Sequence, residues 1–129
     1  LSAKVVAAGP TTAMPLFAGW KRAPLPDDAK GAAMISLVAL RELRGAAHAA
    51  AVTAAGISPL QAVLSTGGEA NAQMLGYSEP FPDVSDLREA MEAAEVPTNA
   101  IVATAYEALT TDELDLFVEL VNGAYRGVS

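Results

Sequence analysis

The segment LRELRGAAHAAA, from Leu40 to Ala51, holds the side chains best suited to chemistry. Among alanine and leucine it carries four polar residues: Arg41, Glu42, Arg44 and the only histidine of the chain, His48. On a helix, Arg41, Arg44 and His48 stand at i, i+3 and i+7 and share roughly one face, with Glu42 about 100° away. Because unpaired buried charge is expensive, such a face favours an internal network of ion pairs and hydrogen bonds that joins the helix to its neighbours. The alternative is a pocket, lined by arginine and histidine, for an anionic or polar ligand.

Catalysis is the weakest of the chemical interpretations. His48 could act as an acid or a base, but the sequence identifies no second catalytic group beside it. There is no G-x-S-x-G elbow, P-loop or dinucleotide fingerprint. Ser65–Gly68 is better interpreted as the end of a helix than as an anion-binding loop. We therefore assign no catalytic residue and expect a protein that is not an enzyme.

A metal site is not expected either. One histidine and no cysteine leave only carboxylates as ligands. The densest group lies on a predicted amphipathic helix without an EF-hand loop and is interpreted as a solvated face: Asp112, Glu113, Asp115 and Glu119. No metal and no cofactor follow from the sequence.

Charge and hydropathy limit the classes of partner. Lysine and arginine number 8 against 15 aspartate and glutamate, for a net charge of −7. An acidic surface repels phosphates, so the composition disfavours nucleic-acid binding by this chain alone. Mean hydropathy is +0.30 and hydrophobic residues make up 52%. Few positions are left for a polar surface, so we expect a partner subunit in a homo-oligomer, or a missing N-terminal domain, to cover apolar surface.

The sequence contains no apolar run long enough to span a bilayer, and the best candidate, Ala32–Leu40, ends at Arg41. Gly123 and Gly127 match G-x-x-x-G, but the polar, short segment around them does not suit a membrane dimer. The first residues lack a secretory signal layout. Together with the absence of cysteine, this favours the cytoplasm. Because the chain starts at Leu1 rather than methionine, we expect it to be part of a longer protein.

Alanine richness and scarce β-branched alternation predict an all-α fold, a compact multi-helix domain over 1–129. Four prolines make 1–27 a mostly irregular arm, although Ser2–Ala8 could be helical, and 28–129 the helical core. Asp27 or Asp28 caps a long central helix that ends near Ala55, before Gly56. Ser58 and Pro59 then begin a short helix that stops at Gly67 and Gly68. Helix, tight turn and short helix form a helix-turn-helix shape.

The second half predicts further helices. A third short helix covers about Glu69–Leu75, and Pro80 and Pro82 form a loop. Ser85 caps a helix that Pro97 breaks, and Thr98 caps the next one. Thr110 and Glu113 show the capping-box pattern before a last helix, whose apolar residues recur at helical spacing: Leu114, Phe117, Val118, Val121 and Tyr125.

The stretch PLFAGWKRAPLPDD…LRELRGAAHAAAVTAAGISPLQAVLSTGG…LGYSE resembles the C-terminal half of an actinobacterial helix-turn-helix-type family, the EvbL-like proteins. Members show Leu-Arg-Glu-His-Arg-Gly-Asp-Gly-His, and the matching positions here are Leu40, Arg41, Glu42, Arg44, Gly45 and His48. Leu43 stands in place of the inner histidine, and Ala46 with Ala47 replaces Asp-Gly. These departures remove polar groups from the signature.

The resemblance extends from Pro15 to about Glu79 and implies a fold rather than a function, since the family's function is not established. It also implies a winged helix in the later part. There Asp86–Glu95 would be the helix that enters a DNA groove, but it is acidic, with Arg88 as its only base. No basic wing follows, so we expect the wing to be reduced or absent.

Two functions from different classes remain at this stage. The first is a non-enzymatic helical domain that binds a ligand or a protein partner, with Arg41, Glu42, Arg44 and His48 as the candidate ligand-binding residues. The alternative is a DNA-binding helix-turn-helix regulator fragment, favoured by the AAGIS turn and opposed by the net charge.

Overall fold

A computed structural model describes residues 1–126 of the chain, and Gly127 of the G-x-x-x-G match lies outside the described residues. Over these residues the fold is all-α, as the composition predicts, and no strand is present. The six α-helices are α1 (Ser2–Ala8), α2 (Pro15–Arg22), α3 (Ala29–Ala54), α4 (Pro59–Met74), α5 (Arg88–Tyr106) and α6 (Thr111–Arg126), with a 3₁₀ turn over Ser85–Leu87.

The chain divides into two compact units. Of the described residues, the first unit contains 1–46 and 100–126, and the second contains 47–99. Helices α3 and α5 therefore contribute residues to both units. The sequence predicts one domain and does not signal this division, because it falls inside two helices rather than at a linker.

The predicted irregular arm over 1–27 is more helical than the sequence suggests, since it contains α1 and α2. Proline is the reason for the difference. Pro15 occupies the first turn of α2, where its missing N–H has no helical partner to lose. The prolines at positions 10, 24 and 26 lie outside both helices. They mark helix ends and leave room for two short helices between them.

The first unit is built on Val5, Phe17, Leu43 and Ala105, which are fully buried. Gly9 ends α1 against this core, and a Cβ there would stand 2.5 Å from Cζ of Phe17. Lys21 donates from Nζ to the Gly9 carbonyl at 2.8 Å. A glycine is thus required at position 9 by close approach and not by its backbone angles.

Helix α6 joins the first unit through one polar and one aromatic contact. Lys4 of α1 donates to both carboxylate oxygens of Glu113, at 2.6 and 2.8 Å. The rings of Tyr106 and Phe117 meet edge to face with centroids 5.7 Å apart. The predicted capping box is confirmed, because Thr110 and Glu113 each accept from the other's backbone N–H. None of the residues of α6 is buried.

The second unit has a small apolar core of Ala51, Val52, Ile57 and Ala94, with Leu87 and Met91 among the side chains packed against it. The prediction that Pro97 breaks a helix before Thr98 is wrong, because α5 runs continuously through Pro97. Thr98 is fully buried, and its hydroxyl donates to the Ala94 carbonyl at 2.7 Å. Thr98 is therefore an interior helical residue and not a cap.

Candidate functional site

The end of α3 and the start of α4 form a helix-turn-helix whose turn is specified residue by residue. Gly56 adopts φ +77°, a left-handed conformation that glycine enters at little cost. Its N–H bonds to the Thr53 carbonyl, and the Ile57 N–H bonds to the Val52 carbonyl, at 3.0 and 3.2 Å. These two bonds make a Schellman motif, and its accompanying hydrophobic pair is Val52 with Ile57 in the core.

The start of α4 is fixed by a second local motif. Ser58 Oγ accepts from the Gln61 N–H, and Gln61 Oε1 accepts from the Ser58 N–H, which completes a capping box. Pro59 follows at the first helical position, as predicted. The axes of α3 and α4 differ by 113° across this break. That angle lies in the 90–120° range of DNA-binding helix-turn-helix units.

Helix α4 has one buried face and one uncharged polar face. Leu64 is buried, and Ala62 packs against the core of the second unit. Ser65 and Thr66 are exposed. The helix has no acidic residue in its first turn, and its first charged residue is Glu69. The predicted end of the short helix at Gly67 and Gly68 is confirmed, because the backbone of Gly68 is not helical. The part of α4 before Gly68 is therefore a separate short helix.

The structure places three of the four predicted ligand-binding residues together. Arg41, Glu42 and Arg44 line a shallow depression of about 310 Å³ in the first unit, beside Gly45. Arg41 donates from Nη1 to Glu42 Oε1 at 2.7 Å, although 81% of the Arg41 side chain is exposed. The depression is therefore an open surface feature with a strongly exposed cation, and it does not have the form of an enclosed pocket.

His48 is not among the residues that line this depression and belongs to the second unit. Its Nδ1 lies 3.4 Å from Glu95 Oε1 and 3.4 Å from Thr98 Oγ1, both on α5. These partners are 47 and 50 residues away along the chain. His48 thus takes part in a helix-to-helix polar contact of the kind that the sequence favours over a ligand pocket.

Other kinds of site are limited within the described residues. Among positions 1–126, no group of three histidine, cysteine, aspartate or glutamate side chains could hold a metal ion. None of the helices there is by itself long and apolar enough to cross a membrane. The pair α3 and α4 passes that test of length and composition only as a bent pair.

The helix from Asp86 to Glu95, expected from the resemblance to enter a DNA groove, has a different setting. Its residues lie in the 3₁₀ turn and the start of α5, and Leu87, Ala90 and Met91 pack on the apolar core. Its exposed side bears Glu89 and Glu92. Of the two helices, α4 has the better chemistry for a groove, because it is uncharged over its first ten residues.

Comparison with known proteins gives one match. The model of a family described as a helix-turn-helix family matches residues 1–82. No curated protein and no solved structure matches the chain. The match overturns the prediction that the chain is chiefly a domain for binding a ligand or a protein partner. It favours the alternative, a helix-turn-helix protein, and the α3–α4 unit lies inside the matched residues.

Proposed function

We propose, because this chain belongs to the helix-turn-helix family, that it is a DNA-binding regulator that reads the major groove with α4. The observation that carries the proposal is the α3–α4 unit itself. Its Schellman turn, capping box and 113° bend are the local features that a helix needs to project from its neighbour into a groove.

The side chains of α4 suit base edges. Ser65 and Thr66 are exposed, and the Ser65 hydroxyl can donate to or accept from any base pair in the major groove. The Thr66 hydroxyl donates to the Ala62 carbonyl at 3.0 Å and can accept from a base. Gln61 uses Oε1 in the capping box, which leaves its Nε2 donors for purine N7 or carbonyl acceptors. We assign these three residues to base contact. The S-P-x-Q pattern at the start of the helix is a sequence signal that could have found Gln61.

Contact with DNA phosphates requires positive charge on the protein. The net charge of the whole chain disfavours such contact, but the charges are unevenly distributed along the sequence. Residues 1–82 hold six of the eight basic residues and five of the fifteen acidic ones, a local net charge of +1. The excess of acid therefore lies beyond the matched region. Exposed Arg41 and the neighbouring Arg44 are the cations we assign to phosphate contact.

A gel-shift titration at low salt, about 50 mM, tests the proposal, since phosphate contacts weaken steeply as salt rises. The chain is titrated into a pool of duplexes of random sequence, and the retarded DNA is recovered and titrated again. Wild-type protein should retard DNA, with retention falling as salt is raised. The absence of retardation at the highest protein concentration would remove the proposal.

A matched pair of substitutions locates the contact on α4. Ser65→Asp places a carboxylate on the exposed face of α4, where it should abolish retardation through repulsion of phosphate and loss of a base contact. Ser78→Asp makes the same change at an exposed serine outside every helix but within the matched residues. It should bind DNA as wild type does. Equal loss in both variants would show that net charge, and not α4, controls binding.

A further inference from the structure

Helix α6 carries much more apolar surface than the first unit covers. On a helical projection its apolar residues occupy an arc of about 200°. Contact with the first unit uses the centre of that arc, through Phe117 and Val121, which are half-buried. The flanks stay exposed to 37–75%: Leu114, Val118 and Tyr125 on one side, and Leu116 and Leu120, here called the α6 face, on the other.

An apolar groove adjoins the α6 face in the same unit. It has a volume of about 250 Å³ and lies between α6, α3 and the start of α1. Leu120 and Val121 form one wall, and Ala33 and Leu37 of α3 form another. Met34, 62% exposed, precedes Leu37 by one helical turn on α3. The α6 face is therefore continuous through Leu120 with a concave apolar surface.

The exposed area is large enough to matter for association. At about 150–200 Å² for a large side chain, the exposed fractions of the α6 face and of Met34 amount to roughly 250–330 Å². A standard dimer interface takes about 800 Å² from each partner. The α6 face and Met34 supply about a third of that area, before the walls of the groove are counted. Patches of this size on monomers are frequently functional.

We propose that the α6 face and its groove bind a second copy of this chain, with the two α6 helices antiparallel across a two-fold axis. A two-fold interface requires one patch to be complementary to itself. This patch contains both a ridge, Leu116 and Leu120 at i and i+4, and the groove that could receive the ridge of the partner.

Charge favours this occupant and this orientation. Helix α6 begins with Asp112 and Glu113 and ends with Arg126. An antiparallel pair sets the basic end of each helix beside the acidic end of the other and opposes their dipoles. Asp115 and Glu119 on the polar side of α6 disfavour nucleic acid or an anionic membrane as the occupant. The proposal goes beyond DNA binding, and none of its residues lies in α4.

Sedimentation equilibrium of the full chain between about 1 and 200 µM tests the proposal without DNA. Wild type should pass from 13.2 kDa to twice that mass and stop there. Leu120→Glu should raise the dimer dissociation constant at least about thirtyfold, because it buries a charge at the centre of the interface. A wild type that stays monomeric over this range, or that grows without limit beyond a dimer, would overturn the proposal.

Leu16→Glu is the matched control, since Leu16 is an exposed leucine on α2, 66% exposed, that does not line the groove. It should dimerise as wild type does, and circular dichroism should show both variants folded. Dimerisation of Leu120→Glu with wild-type affinity would refute the assigned face. Equal loss in Leu16→Glu would refute its specificity.

Spin labels then test the orientation. The chain has no cysteine, so Thr111→Cys and Asn122→Cys each accept one label. Two distances between the copies are compared: from the label at position 111 to the partner's label at position 122, and from the label at position 111 to the partner's label at position 111. In an antiparallel pair the first distance is shorter than the second by more than about 10 Å. The reverse order of distances would contradict the antiparallel arrangement.

Discussion

Replacement of Gly56 by alanine tests the turn between α3 and α4 through backbone conformation alone. Gly56 has φ +77°, and a Cβ added there would meet no atom within 4 Å. Steric overlap with other residues therefore does not destabilise the variant. The free-energy cost comes from holding an L-residue in the left-handed conformation, about 1–2 kcal/mol. Alanine also lowers the entropy of the unfolded chain, which returns about 0.4–1 kcal/mol. The net expectation is a destabilisation of about 0.5–1.5 kcal/mol.

Gly45→Ala is the control with the opposite sign. Gly45 lies in the interior of α3, has ordinary helical geometry and also has open space around its Cα. Alanine there should stabilise the protein by about 0.5–1 kcal/mol, because glycine is a poor helix residue. Urea unfolding followed by circular dichroism measures both values. If Gly56→Ala raised stability as Gly45→Ala does, position 56 would not be left-handed and the turn described here would be wrong.

Three further predictions address α5, α6 and the proposed phosphate contacts. Pro97→Ala should stabilise the protein by about 1–3 kcal/mol in urea unfolding, because it restores a donor to the Ala93 carbonyl inside α5; a loss of stability would show that the helix needs the proline. The hydrogen bond from Lys4 and that from the Thr110 N–H lower the pKa of Glu113. The stabilisation from this depressed pKa is present above the pKa of Glu113 in the unfolded chain and is lost as pH falls through its pKa in the folded protein. Glu113→Gln should therefore flatten the decline of the urea midpoint between about pH 7 and pH 3. A decline unchanged from wild type would contradict the ion pair of Lys4 with Glu113. Arg41→Ala and Arg44→Ala should each reduce the salt dependence of DNA binding by about one unit of log–log slope, whereas Arg88→Ala, outside the matched residues, should leave it unchanged; an equal reduction in all three would point to net charge.

The helix-turn-helix could be predicted from the sequence because its signals are local. The turn at Gly56 depends only on the backbone freedom of glycine. The start of α4 depends only on Ser58, Pro59 and the residues up to Gln61. Pro97 shows the limit of such signals. Proline predicts a break on local grounds, yet burial of Thr98 and Ala94 in the second unit keeps α5 continuous across it. Tertiary packing outweighs the local penalty there.

The sequence predicted that Arg41 and Arg44 lie close together, but not the contacts of His48. Helical spacing correctly indicated that Arg41 and Arg44 lie near each other. It could not indicate that His48 would contact Glu95 and Thr98, because those residues come from a helix about 50 positions later. It also missed Ser65 and Thr66, since uncharged hydroxyls on a short helix carry no spacing signal of their own.

The total charge of −7 disfavours nucleic-acid binding, but a total charge hides its distribution along the chain. Residues 83–129 hold ten of the fifteen acidic residues, whereas the residues matched by the family are close to neutral. Phosphate contact depends on the charges that face the duplex and not on the sum over the chain.

The contact of α4 with DNA is the central claim, and a titration of labelled protein with duplex at low salt, followed by amide chemical shifts, tests it most directly. The account predicts that the largest shift changes fall on Leu60–Thr66 and on the residues around Arg41 and Arg44. Saturating shifts confined to α5 and α6, or no shift change at any ratio of duplex to protein, would contradict it.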